Sequence, residues 1–317
     1  MSQSIKQSEI RTDSMRTNDE IDLKEITVAL WEGKWLLIAI AFLFSLISVI
    51  YAVTLPNIYK SEALLSPVEQ DGANNLSALA GQFGGLASLA GVDLGGSSNN
   101  KAKLAIEILK SRKFITSFIE RHEILPDLMA AKSWDIKSNT IIYDDDIYSS
   151  EEKKWVREVE LPFKQKPSYQ EGFKEFEKIF YVGEDKETGM VTIFIEHVSP
   201  YVAQNWVNWL IQDINSGMKE RDVKEAELST EFLTKQLENT DISEIQSILY
   251  QLIEEQAKTI MFANVREEYV FKTIDPALVM EEKEKPKRAL ICILGAFLGS
   301  MLGAIIVLVR HFSVRKY

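Results

Sequence analysis

Two long runs without a charged residue constrain this chain more than any other feature. The first is WLLIAIAFLFSLISVIYAVTL, Trp35 to Leu55, and the second is ALICILGAFLGSMLGAIIVLV, Ala289 to Val309. Each is about 21 residues long, and a helix rising ~1.5 Å per residue needs about 20 to cross a bilayer core. Both therefore read as transmembrane helices. A cleaved signal peptide does not fit the first run: a long polar stretch precedes it, and it exceeds the roughly 7–15 apolar residues of a signal.

Two spans put both termini on one side of the membrane. Lys24 and Lys34 precede the first span, and Arg310, Arg315 and Lys316 follow the second, which favours the cytoplasm for both ends. Lys285, Lys287 and Arg288 oppose this from the other side, and the loop is too long for the charge rule to decide. The chain divides accordingly into a cytoplasmic segment 1–34, a span 35–55, an external domain 56–288, a span 289–309 and a cytoplasmic tail 310–317. The one cysteine, Cys292, lies inside the second span, so the external domain has to be held by packing alone. A net charge of −11 argues against nucleic acid, or an anionic polymer held by simple charge attraction.

Residues 1–20 are polar and read as disordered. IDLKEITVALWEGKW then reads as an amphipathic helix, with Leu23, Ile26 and Leu30 on one face and Asp22 and Glu25 as a capping box. Trp31 and Trp35 are placed as interfacial anchors at headgroup level. After Pro56, NIYKSEALLSP reads as a strand. Residues 72–100 hold seven of the 15 glycines together with Leu, Phe and Val, which suits no long regular element and no ordinary solvated linker. They read equally as a loop tucked onto the core or as a segment sheltered at the membrane or inside an oligomer.

KAKLAIEILKSRKFITSFIERHEI reads as a helix with Leu104, Ile108, Ile115 and Ile119 near one face. Residues 126–178 carry only weak periodicity. FYVGEDKETGMVTIFIEHV reads as a β-hairpin. Ser199 and Pro200 form an N-cap and N1 pair, opening a helix to about Glu238 that extends roughly 57 Å. Its middle, NSGMKERDVKEAELST, is charged almost all round, so it projects or pairs with another helix. A second helix, about 243–267, follows a turn at residues 239–241, and EYVFKTID returns as a strand. The expected fold is an α+β domain with a long projecting helical hairpin, flanked by two transmembrane helices.

No motif carries catalytic chemistry. His122, His197 and His311 lack metal-ligand spacing, and Asp144 to Asp146 lack the alternating ligands and glycine of a calcium loop. There is no GxSxG elbow and no GxxxxGK[ST] loop, and no cofactor is implied. The second span does carry a pattern: Gly295, Gly299 and Gly303 at i, i+4 and i+8 form a groove that another helix backbone can approach. Its partner is the first span, a neighbouring subunit or another protein.

This arrangement resembles the Wzz-type polysaccharide co-polymerases, the O-antigen chain-length determinants of Gram-negative inner membranes. The resemblance is carried by DEIDLKEITVALWEGKW, by LASLAGVDLGG with KAKLAIEILKSRKFI, by YVAQNWVNWLIQDINSGM, and by YVFKTIDPA running into KPKRALICILGAFLGSMLG. Pro276 and Pro286 mark a membrane-proximal proline segment, although VMEEKE between them lacks a further expected proline. The resemblance implies a periplasmic α/β base and a ring-like homo-oligomer. It also implies a non-enzymatic role in which the protein acts with a Wzy-type polymerase, and with the lipid-linked polysaccharide itself, to set chain length. With about eight residues after the second span, the chain is similar to the kinase-free branch. A sensor ectodomain or a periplasmic adaptor is the alternative from another class.

Overall fold

A computed structural model of the chain describes residues 23–68 and 98–314. The expected cap at Asp22 and the Glu25 side chain, residues 72–97 of the glycine-rich stretch, and Arg315 and Lys316 lie outside the described residues. In order, the elements are α1 (Leu23–Glu32), α2 (Lys34–Thr54), β1 (Tyr59–Pro67), α3 (Ser98–Lys110), α4 (Arg112–Arg121) and α5 (Leu125–Ala130). There follow β2 (Ala131–Asp135), β3 (Thr140–Tyr143), β4 (Tyr148–Ser149), β5 (Lys154–Trp155), α6 (Tyr169–Ile179), β6 (Phe180–Glu184) and β7 (Val191–His197). The long helix α7 (Pro200–Glu238), α8 (Ser243–Val265), β8 (Phe271–Asp275) and α9 (Arg288–Val314) complete the set. The chain forms two compact units: Met1–Leu55 with Lys287–Tyr317, and Pro56–Pro286.

The first unit is helical. Both α2 and α9 are long and apolar enough to cross a membrane. Their large side chains, such as Phe42, Ile50, Ile293 and Phe297, point outward, which suits a lipid solvent rather than water. Arg288 Nε donates to the Ala52 carbonyl at 3.0 Å and Nη2 to the Leu55 carbonyl at 3.3 Å, so a cation satisfies open carbonyls at the end of α2. Nothing in the sequence breaks α9 before Val314, so residues 310–314, expected as tail, continue the helix.

The second unit is built on a four-stranded antiparallel sheet in the order β6-β7-β1-β8. Alternation decides its inner face: Val191, Ile193, Ile195 and His197 of β7 are buried, as are Tyr59, Ser61, Ala63 and Leu65 of β1. The first half of α7 packs on this face with Ala203, Trp206, Val207, Leu210, Ile214 and Met218, at helical spacing. Phe118 of α4 and Phe176 of α6 close the core, their rings 5.6 Å apart. The result is an α+β layer pair.

Ser199 caps α7 through a bond from Val202 N–H, with Pro200 at the first turn. Beyond Met218, only Ala226 among α7's residues is buried. This second half pairs with α8 to form the expected hairpin, joined through Asn239 and Thr240, where Gln246 Nε2 donates to the Thr240 carbonyl.

Three local expectations need correction. The helix expected across 101–124 breaks at Ser111, whose side chain caps α4 by accepting from Phe114 N–H. The break rotates the buried face: Ala102, Ala105, Ile106 and Leu109 are inside, whereas Leu104 is exposed and Ile108 half-buried. Helix α8 stops at Val265 because Arg266 is extended. The returning strand starts at Phe271, just after Tyr269 and Val270, whose N–H groups bond to a side chain of α7. Within 126–178, where periodicity is weak, two short hairpins and α6 form, the latter with a full Ser168/Glu171 capping box.

Candidate interaction sites

The three glycines of the second apolar helix face the first. A Cβ built on Gly299 would lie 2.7 Å from Phe44 Cβ and 3.0 Å from Ala41 Cα, and one on Gly303 would lie 3.3 Å from Leu37 Cα. On Gly295 it would collide with Ser48. Of the three partners left open by the sequence, the glycine face therefore meets the chain's own first span. Gly33, between α1 and α2, approaches Val307 of α9 in the same way. Trp31 and Trp35 are 73% and 76% exposed, with Lys34 Nζ 4.7 Å from the Trp31 ring centre.

Pro276 and Pro286 bracket a segment fastened to the sheet. Gln204 Nε2 donates to the Ala277 carbonyl at 3.0 Å and Ser61 Oγ to the Leu278 carbonyl at 2.7 Å. At the far end Ile58 and Lys285 form an antiparallel bridge, and Lys285 Nζ reaches Glu196 at 2.7 Å. Polar ties at both ends thus hold a stretch with no helix or strand of its own.

Polar groups on α7 that the sequence did not single out fasten the rest of the second unit. Asn215 Oδ1 accepts from the N–H groups of Tyr269, Val270 and Phe271 at 3.1, 2.8 and 3.0 Å, and its Nδ2 donates to the Phe271 carbonyl at 3.1 Å. Asp213 accepts from Arg121 at 3.0 Å and faces His122 Nε2 at 3.1 Å, while the His122 ring stacks on Trp209 at 4.5 Å. Asp222 holds Lys101 at 2.6 Å and the Tyr269 hydroxyl at 2.7 Å. Burial and the Asp222 carboxylate hold the Tyr269 hydroxyl well above the usual phenol range. The available signal was a polar residue, Asn215, inside the apolar run Leu210, Ile211, Ile214 and Met218.

His197 Nδ1 accepts the Ser199 N–H, so Nε2 carries the proton and donates to the Asp127 carbonyl at 3.0 Å. Burial pushes its imidazole below the ordinary histidine value. Among the described residues no group of three or more His, Cys, Asp or Glu is placed to hold a metal. The hairpin, by contrast, presents an uncovered apolar side. Leu228 and Phe232 of α7 are 59% and 61% exposed, and Ile245, Ile248 and Leu252 of α8 are exposed too. An open groove of about 1070 Å³ beside them is lined by Lys101, Asp222, Leu228, Phe232, Leu252 and Gln256.

The fold combines two helices long and apolar enough to cross a membrane with one α+β domain in the chain between them. Two family models match the chain in sequence: the chain length determinant protein model over residues 19–122, and the G-rich domain on putative tyrosine kinase over residues 233–312. The chain thus carries a Wzz chain length determinant domain, followed toward its other end by a G-rich domain of the kind that second model describes. No curated protein matches it significantly. Similar solved structures include a full-length bacterial polysaccharide co-polymerase, 13% identical, covering 93% of this chain and 99% of that one, with a TM-score of 0.41. Another is a fragment of WzzB, a polysaccharide co-polymerase from Salmonella Typhimurium, 10% identical, covering 72% and 100%, with a TM-score of 0.36. Likeness at that level is distant, and the domain assignment rests on the two sequence matches.

Proposed function

We propose that this chain sets the length of a Gram-negative surface polysaccharide, the lipopolysaccharide O-antigen, as a non-enzymatic homo-oligomer acting with a Wzy-type polymerase in the inner membrane. The observations that carry this reading are the two sequence matches, which span the first apolar helix, the sheet strand after it, helix α8 and the glycine face. Residues 56–288 stand in the periplasm, 1–34 and 310–317 in the cytoplasm, and 35–55 and 289–309 in the bilayer. In this reading Gly295, Gly299 and Gly303 seat the two spans on each other, Trp31 and Trp35 sit at headgroup level, and Pro276 and Pro286 mark the membrane-proximal segment.

Exposed Leu228, Phe232, Ile248 and Leu252 supply the apolar side through which copies of the hairpin associate. The polymerase, and the lipid-linked polysaccharide it extends, are the remaining partners. Deleting the gene and resolving lipopolysaccharide on a gel tests the proposal. The modal cluster of band lengths is expected to vanish and to return on complementation; an unchanged ladder refutes the reading.

A further inference from the structure

Both chain connections to the apolar helices leave the folded unit at one place. Ile58 N–H donates to the Lys285 carbonyl at 2.9 Å, and Lys285 N–H to the Ile58 carbonyl at 3.2 Å, across the point where the two connections meet. Tyr59 comes next, four residues beyond Leu55. By chain length alone it stays within about 14 Å of the end of the first apolar helix.

Aromatic rings gather around that residue. The Trp134 ring meets Tyr59 edge-on at 5.6 Å, and Tyr201 lies 5.9 Å from Trp134. Trp134 leads into the β2–β3 turn, where Ile136 is 69% exposed among the polar residues Asp135, Lys137, Ser138 and Asn139. The turn is tied down. Asp135 accepts from the N–H groups of Lys137 and Ser138, each at 3.2 Å, and Trp134 Nε1 donates to Asn139 Oδ1 at 2.9 Å.

A fixed turn gains nothing in water by presenting isoleucine at its tip. With Trp and two Tyr behind that tip and Lys137 beside it, the composition suits a bilayer interface. Trp and Tyr rings prefer headgroup level, and a lysine stem lies along apolar matter while its ammonium meets phosphate. Position selects the partner: the turn adjoins the residues at which the chain joins its own spans, where a bilayer surface is the nearest apolar phase.

We propose that the β2–β3 turn rests on the bilayer surface, with Ile136 among the upper acyl chains and Trp134 at headgroup level. The folded unit then has a lipid contact beside its two covalent connections, which restrains its tilt over the membrane. This requires the two spans but not the role in polysaccharide length.

The test uses the full chain in nanodiscs. Cys292→Ala removes the native thiol, and a nitroxide is placed at Ile136→Cys or, as a reference, at Asp241→Cys in the turn of the helical hairpin. At 136, collisions with lipid-soluble oxygen are expected to exceed those with a water-soluble nickel complex; at 241 the reverse is expected. Equal, water-like behaviour at both sites overturns the proposal. So does a label at 136 shielded from nickel yet not reached by oxygen, because that signature means protein cover. A nitroxide on native Cys292 separates the failures: if it reports lipid while 136 does not, the spans stand and only this inference falls. Lipids brominated near the headgroup provide a label-free check. The emission lost in Trp134→Phe is the share that bromine is expected to quench in the native chain, and an unquenched share also overturns the proposal.

Discussion

Asn215 joins the long helix to the start of the last strand. It turns one buried amide into a clasp for three consecutive backbone donors and one carbonyl, across 54 to 56 residues of sequence. Asn215→Ala leaves those groups without partners in a dry site, and a loss of about 3 kcal/mol is expected in thermal or denaturant unfolding. Asn215→Asp keeps the acceptor and is expected to lose less. His197 gives a pH signature. Its folded imidazole is held below the ordinary value of 6.5, so above that pH both folded and unfolded rings are neutral and stability is unaffected. As pH falls below 6.5 the unfolded chain takes up a proton that the folded one resists, and stability declines until the folded ring titrates. Melting temperature followed from pH 7.5 to 5 is expected to fall, and less steeply in His197→Gln. Neither role was legible in the sequence, where Asn215 and His197 are polar residues without a stated partner.

At the scale of elements, glycine means different things on two helices. Gly299 lies against the backbone of the first span, so Gly299→Leu forces the helices apart and is expected to cost about 1–3 kcal/mol. Gly217 on α7 has nothing within 4 Å of a built Cβ, so Gly217→Ala is expected to stabilise by up to about 1 kcal/mol. Unfolding of the two variants in the same detergent compares them directly; the same sign for both would remove the distinction. The glycine pattern was readable beforehand, and its partner was not. The break at Ser111 was also readable as an N-cap, yet helical spacing on either side concealed it: a continuous periodicity persists when a helix bends and its buried face turns.

For the whole molecule, the uncovered side of the hairpin bears on assembly. Leu228→Glu with Phe232→Glu places two charges on that side without touching the core. The far-ultraviolet circular dichroism spectrum is expected to stay unchanged while the mass of the nanodisc-held assembly drops and the modal polysaccharide length is lost. An unchanged mass would sink the hairpin side as the interface and leave the family assignment standing.

The two spans, the long helix from its Ser199–Pro200 start, the β6–β7 hairpin and the α+β class were determined by the sequence alone. Each depends on local composition or periodicity within a few turns of chain. Tertiary structure decided which helix fills the glycine face, which side of the 98–121 region is buried, and what holds the start of the last strand. Those outcomes turn on groups that meet only after folding, such as Asn215 with Phe271 or Gly299 with Ala41. A single sequence shows such groups as residue types, and only their juxtaposition gives them a partner.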